Sequence, residues 1–151
     1  MSTLLQSIKI SNDQLCVDLF DQPRYILAVY KNLKQVSDKE YLDYMQKCGD
    51  LFSQGNTGRL LADFSELQNY GLGLRAIAIN NLKITTLDKA PYLVVAIVKS
   101  KSVFENMAIE VALKGAKQLS AKFLDGKLFN TKDEAFEWLI SFPLPDQFNQ
   151  S

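Results

Sequence analysis

Short, nearly continuous apolar runs alternate along this chain with longer stretches in which apolar residues recur every three or four positions. That alternation predicts strands followed by helices. Gln14 to Phe20 and Arg24 to Tyr30 are β-rich runs separated by the turn-forming Asp21-Gln22-Pro23, and they predict an antiparallel hairpin. Leu5 to Ile10 reads as an earlier edge segment within residues 1–13. Asp38 to Ser53 carries the strongest helical pattern, with Tyr41, Tyr44, Met45, Cys48, Leu51 and Phe52 on one face and Leu42 widening it. Gly49 is a mild cost inside it. Arg59 to Phe64 reads as a short buried strand. Tyr92 to Val98 is the continuous apolar run of a central strand covered on both faces.

Four S/T-x-x-E/Q signals punctuate the pattern, beginning at Ser37, Ser65, Ser102 and Thr131. In each, the hydroxyl and the acidic or amide side chain are spaced to satisfy free N–H groups at a helix start. Val36 and Tyr41 flank the first as a hydrophobic staple, and Gly55 with Gly58 is expected to close that helix. After Ser65, Gly71 and Gly73 argue against a continuous helix, so one turn, a loose stretch and a second start near Leu74 running to about Leu82 are expected. From Val103 to Leu119, the residues Phe104, Met107, Ala108, Val111 and Ala112 form the expected buried face. Lys127 to Phe129 reads as an edge strand. The last helix carries Ala135, Trp138, Leu139 and Phe142 before Pro143 and Pro145 end it, and residues 143–151 read as a mobile tail.

These elements predict a single α/β domain over residues 1–151, with a mixed sheet, an N-terminal antiparallel hairpin and four helices. In open sheets of this class, ligands bind outside the carboxyl ends of the strands. Asp63, Ser65, Lys99, Ser100, Ser102, Asn130 and Thr131 are placed at that rim. Helix capping and solvation of the rim account for them without a ligand.

The opening hairpin, Arg59-Leu-Leu-Ala-Asp-Phe, Val94-Val-Ala-Ile-Val and the closing Phe129-x-x-x-x-x-Ala135-x-x-Trp138-Leu139 together resemble the SpoIIAA-like group. More narrowly, they are similar to small bacterial STAS-like proteins. The resemblance runs from about Gln14 to Ile140, and its most specific part, the closing segment, is a packing signature. It implies a SpoIIAA-like β-α superhelix and a non-enzymatic regulatory or protein-interaction role. The best-known members of that group are anti-sigma factor antagonists, switched by phosphorylation of a serine at a helix start. Here the matching stretch Gln68-Asn-Tyr-Gly-Leu-Gly has no hydroxyl other than Tyr70, and Ser65 sits closer to the strand end than the switch serine would.

Composition narrows the chemistry. Hydrophobic residues make up 47% and charged residues 23%, the balance of a folded globular chain. Lys plus Arg and Asp plus Glu are equal at 17 each, so no net positive field draws nucleic acid. No apolar run approaches the ~20 residues that cross a bilayer, so no membrane insertion is expected. The N-terminal residues lack a secretory pattern, and the expected location is cytoplasmic. There is no histidine, which removes the commonest general base and most zinc sites. Cys16 and Cys48 form no metal spacing, and the carboxylate pairs sit where caps and solvated faces need them. The reading is therefore not an enzyme, with no cofactor and no metal.

Gly71-Leu-Gly-Leu-Arg-Ala76 matches a dinucleotide fingerprint in form, but residues 65–70 separate it from the strand it should follow directly. The expected partner is a protein or a second copy, with Tyr25, Leu27 and Val29, or their alternates, on an incompletely covered sheet face. The alternative is a carrier or sensor of a small apolar ligand or lipid, lined by Tyr70, Leu72, Leu74, Ile77, Ile84 and Leu87. The candidate ligand or partner site is thus Asp63, Ser65, Tyr70, Leu72, Leu74, Lys99 and Ser102.

Overall fold

A computed structural model describes residues 2–148. Six strands form one mixed sheet whose spatial order is the order of the chain. Strands β1 (Thr3–Ile10), β2 (Leu15–Asp21) and β3 (Tyr25–Tyr30) form an antiparallel meander, β1 with β2 and β2 with β3. Strands β4 (Arg59–Asp63), β5 (Leu93–Val98) and β6 (Phe123–Phe129) then add in parallel to β3. Helix α1 (Asp38–Gly55) connects β3 to β4, and α2 (Leu72–Leu82) with a π-helical turn (Lys83–Leu87) connects β4 to β5. Helix α3 (Val103–Leu119) connects β5 to β6, and α4 (Lys132–Ser141) follows β6. The α/β class, the mixed sheet, the N-terminal hairpin and the four helices are all present.

Successive strand residues point to opposite faces, so each strand divides its side chains between two cores. Ile26, Ala28, Val95 and Ile97 pack beneath α1, α2 and α3, whereas Leu27, Leu61, Val94 and Ala96 pack beneath α4. All three crossover helices lie on the first face. Tyr25 and Leu27 are therefore not left open, as the sequence reading expected: α4 covers them, with Phe136 edge-on to Tyr25 at 5.2 Å. Their alternates Ile26 and Ala28 are buried on the other face.

Local chemistry explains most boundaries. At the start of α1, the Glu40 N–H donates to Ser37 Oγ and the Ser37 N–H donates to Glu40 Oε1, each at 3.1 Å. Its end differs from the expectation, because neither Gly55 nor Gly58 adopts the left-handed conformation. Asn56 does so, at φ 48°, and its N–H reaches the carbonyls of Phe52 and Ser53. At α4 the free carbonyls of Leu139 and Phe142 accept from the guanidinium of Arg59, supplied by β4 on the sheet below.

Two other expectations shift. β6 begins at Phe123 rather than Lys127, since Asp125-Gly126 looks like a turn but stays in the strand, where Gly126 makes room for Leu113 of α3. The expected mobile tail continues past Pro143 with packed side chains: Leu144 and Phe148 lie against the second core, and the Phe148 ring stands 5.9 Å from Tyr92. Residues 149–151 of that segment lie outside the described residues.

Candidate functional site

The carboxyl ends of β3, β4 and β5 open onto a rim built by three loops. The signal at Ser65 does not start a helix there. Asp63 Oδ1 instead accepts the Ser65 N–H at 2.9 Å, and the Leu67 N–H donates to the Phe64 carbonyl, making a turn. The Gln68 N–H then donates to the Lys31 carbonyl and the Leu33 N–H donates to the Gln68 carbonyl, which prolongs the pairing of β3 and β4 beyond their ends. Backbone groups committed to that pairing cannot also form a helical turn. α2 begins only at Leu72, with Gly71 as an N-cap that offers no side-chain bond.

Between the loop after β3, the start of α2 and the first turn of α3 lies an open hollow of about 520 Å³. Leu33, Val36, Asp38, Tyr70, Leu74 and Glu105 are among its walls. Of the predicted site residues, Tyr70 and Leu74 border it. Asp63, Ser65, Leu72, Lys99 and Ser102 stand outside its wall, and each has a structural task or faces water. Ser102 Oγ accepts the Glu105 N–H at 3.2 Å. Lys99 is exposed and its N–H donates to the Phe129 carbonyl. Ser100 is buried and clamped by Asn106, whose side chain accepts from the Ser100 N–H and donates to its carbonyl. Asn130 and Thr131 are exposed at the start of α4.

Arg75 and Glu105 organise the hollow, whereas the sequence offers Glu105 only as the acidic partner of the cap at Ser102. Arg75 donates from Nε to the Tyr70 carbonyl at 3.1 Å and from Nη2 to the Glu105 carboxylate. Its guanidinium also lies 5.1 Å from the Tyr70 ring and 5.7 Å from the Phe104 ring, so one side chain ties α2 to α3. Glu105 does not complete a reciprocal capping box at Ser102 because it turns to Arg75, and its Oε2 is buried without a partner among the described residues. An arginine four residues after Gly71 was the available signal, hidden because it fell inside the fingerprint-like stretch. Arg75→Ala leaves a mostly buried carboxylate without its counter-ion, and it is expected to cost about 3 kcal/mol. Urea unfolding checks this against Arg75→Leu with Glu105→Leu, which should recover most of the loss.

Behind the hollow stands a cluster of tyrosines. The hydroxyls of Tyr41 and Tyr70 share a hydrogen bond of 2.5 Å, and the Tyr44 hydroxyl donates to the Cys16 carbonyl at 2.9 Å. The Tyr30 ring lies edge-on to Tyr44 and Phe64. Burial pushes the Tyr30, Tyr41 and Tyr44 hydroxyls well above their ordinary range, and pushes the Cys48 thiol up to about 12. At neutral pH these groups are protonated packing elements, and Cys48 is no nucleophile. Among the described residues, no cluster of three or more His, Cys, Asp or Glu side chains is placed to hold a metal.

The six residues expected to line an apolar ligand cavity do not form one wall. Leu74 and Leu87 are core residues, Leu72 and Ile84 face solvent, and Tyr70 and Ile77 lie half-buried between them.

The larger correction concerns α3. Its core side is Ile109, Leu113 and Ala116, and the face predicted to be buried looks outward. Phe104 is 70% exposed, Met107 62% and Val111 71%. Two apolar stripes share this helix, and the bulkier one faces solvent. α2 adds Leu72, 83% exposed at its first position, and Ile79. Lys114, Glu110 and Lys117 sit to one side of the outer α3 stripe, by the 100° turn per residue of a helix.

No helix among the described residues is long and apolar enough to cross a membrane. Comparisons with protein families, curated proteins and solved structures returned no match to the chain.

Proposed function

We propose that this chain is a non-enzymatic protein-interaction module of the STAS-like kind, built on a SpoIIAA-like superhelix, and that it binds its partner through the outer face of α2 and α3. The observation that carries the reading is the outward stripe of Phe104, Met107 and Val111 on a helix that already buries a separate apolar face. Scattered exposed apolar residues are ordinary, but a contiguous patch rimmed by polar groups marks a docking surface. The consecutive strand order, with three crossover helices on one face, supports the superhelical arrangement. The Tyr41 and Tyr70 hydroxyls are engaged with each other, and the buried Cys48 stays a thiol at neutral pH, so this cluster lends the hollow no nucleophile.

The test pairs the wild type with Met107→Glu/Val111→Glu, both immobilised and presented with extract and with purified copies of the chain. A protein retained stoichiometrically by the wild type and lost by the variant is the expected result. Equal retention by both, or no retained protein of any kind, would overturn the reading.

A further inference from the structure

We infer that α3 is a latched flap: it leaves the sheet as a unit while the rest of the fold stays intact, and the clasp between Arg75 and Glu105 holds it shut. The inference concerns the helix itself and stands whatever its outer face meets.

Its basis is the uneven burial of the helices. Of the 17 residues of α3 only Ala116 is buried, with Ile109 and Leu113 half-buried beside it. α1, of 18 residues, buries eight. A helix of this length is marginal in water by itself and owes most of its stability to the apolar face it packs. Gly115 weakens α3 further, because glycine is less favourable than alanine inside a helix and nothing among the described residues lies within 4 Å of where its Cβ would stand. The part of a fold with the fewest buried apolar contacts is the part that opens at least cost.

Two contacts hold the helix down at separate points. Leu113 sits over Gly126 of β6, where a Cβ would stand 2.6 Å from Leu113 Cδ2. One turn into α3, Arg75 of α2 grips Glu105 and rests near the Phe104 ring. Among the described residues that is the only hydrogen bond joining α2 to α3, and both of its side chains are mostly buried. The pair of Lys117 with Asp125 on β6 stands in water and adds little. Once the clasp parts, α3 keeps one narrow apolar edge, so undocking and unwinding occur together. The chain on either side stays tied: the Lys99 N–H donates to the Phe129 carbonyl, and Lys122 Nζ donates to the carbonyls of Leu87 and Ala90. Those ties bound the flap. Glu105 also stands in the wall of the hollow, so the latch is where the hollow and the flap meet.

Exchange of backbone amide hydrogens in increasing urea tests the flap. In the wild type, the α3 amides are expected to exchange at least about tenfold faster than those of β4, β5 and α1, with a urea dependence well below that of global unfolding. Arg75→Ala should speed α3 exchange about a hundredfold, and Arg75→Leu with Glu105→Leu should return most of it. Tyr44→Phe is the complementary variant, since it removes a bond between α1 and the Cys16 carbonyl of β2 that the open flap keeps. It should speed, by about tenfold, the β5 and α1 amides that exchange through global unfolding, and leave α3 unchanged. Amides of α3 as protected as those of β5, or accelerated equally with them by Tyr44→Phe, mean that α3 lets go only when the whole chain unfolds, and overturn the inference. Exchange in α3 that ignores Arg75→Ala overturns it too, because the clasp then does not part in the opening.

Discussion

Gly58→Ala is expected to lower stability by about 3 kcal/mol, read as a lower urea midpoint with an unchanged slope. Gly58 precedes β4, and its carbonyl accepts the Val94 N–H at 2.8 Å where β4 meets β5. A Cβ built there would stand 1.7 Å from the Tyr92 carbonyl oxygen and 2.4 Å from its carbon. Both are backbone atoms, so relief requires one strand to move off the other at the centre of the sheet. The backbone angle at Gly58 is one any residue adopts, and the demand is for space alone. Gly73→Ala is the control: its Cβ meets nothing within 4 Å among the described residues, and removing a helical glycine should stabilise the chain by up to about 1 kcal/mol. An unchanged midpoint for Gly58→Ala would mean that β4 and β5 do not approach as described.

Alkaline unfolding is the second large effect. Tyr30, Tyr41 and Tyr44 are held protonated by burial, and the Cys48 thiol is pushed from its ordinary value of 9.0 to about 12. Below the ordinary values both the folded and unfolded states keep these protons, and the full stability is present. As pH rises toward the raised native values, the unfolded chain ionises alone and stability falls. The shift at Cys48 by itself removes about 4 kcal/mol by the top of that window. Three of the six tyrosines should therefore ionise only as the fold is lost, seen as tyrosinate absorbance rising in step with loss of circular dichroism. Cys48 should react with a thiol reagent in the same step. Reversible titration of all six tyrosines with the fold intact would contradict the burial of this cluster.

The legible parts of this fold were those decided by neighbours in the chain. The hairpin around Asp21-Gln22-Pro23, the cap at Ser37 and the continuous apolar run of β5 each carry their cause within a few residues. Ser65 has the same local signal as Ser37, yet the pairing of Gln68 with Lys31 and Leu33 competes for its backbone. That competition comes from more than thirty residues away.

On α3 the difficulty was different. Periodicity identifies an apolar face but cannot rank two of them, and on α3 the bulkier stripe is the one left outside. The pointer to Ile109, Leu113 and Ala116 lay on another element, in the glycine at position 126 that admits Leu113. The candidate site was legible only at Tyr70 and Leu74. Glu105, which stands in its wall, and Arg75, which holds Glu105, are thirty residues apart and meet only through folding.

The consecutive order of the strands bears on how the polypeptide reaches its native state during synthesis. Each strand pairs with the one made just before it, so no later segment has to thread between two that are already joined. The first three strands close through short turns, where loop entropy is smallest, and they present β3 as a ready template. That order leaves each following helix and strand an open edge to dock on as synthesis proceeds. The topology therefore suits vectorial assembly, with α4 and the segment behind it covering the second face of a sheet whose strands are already made.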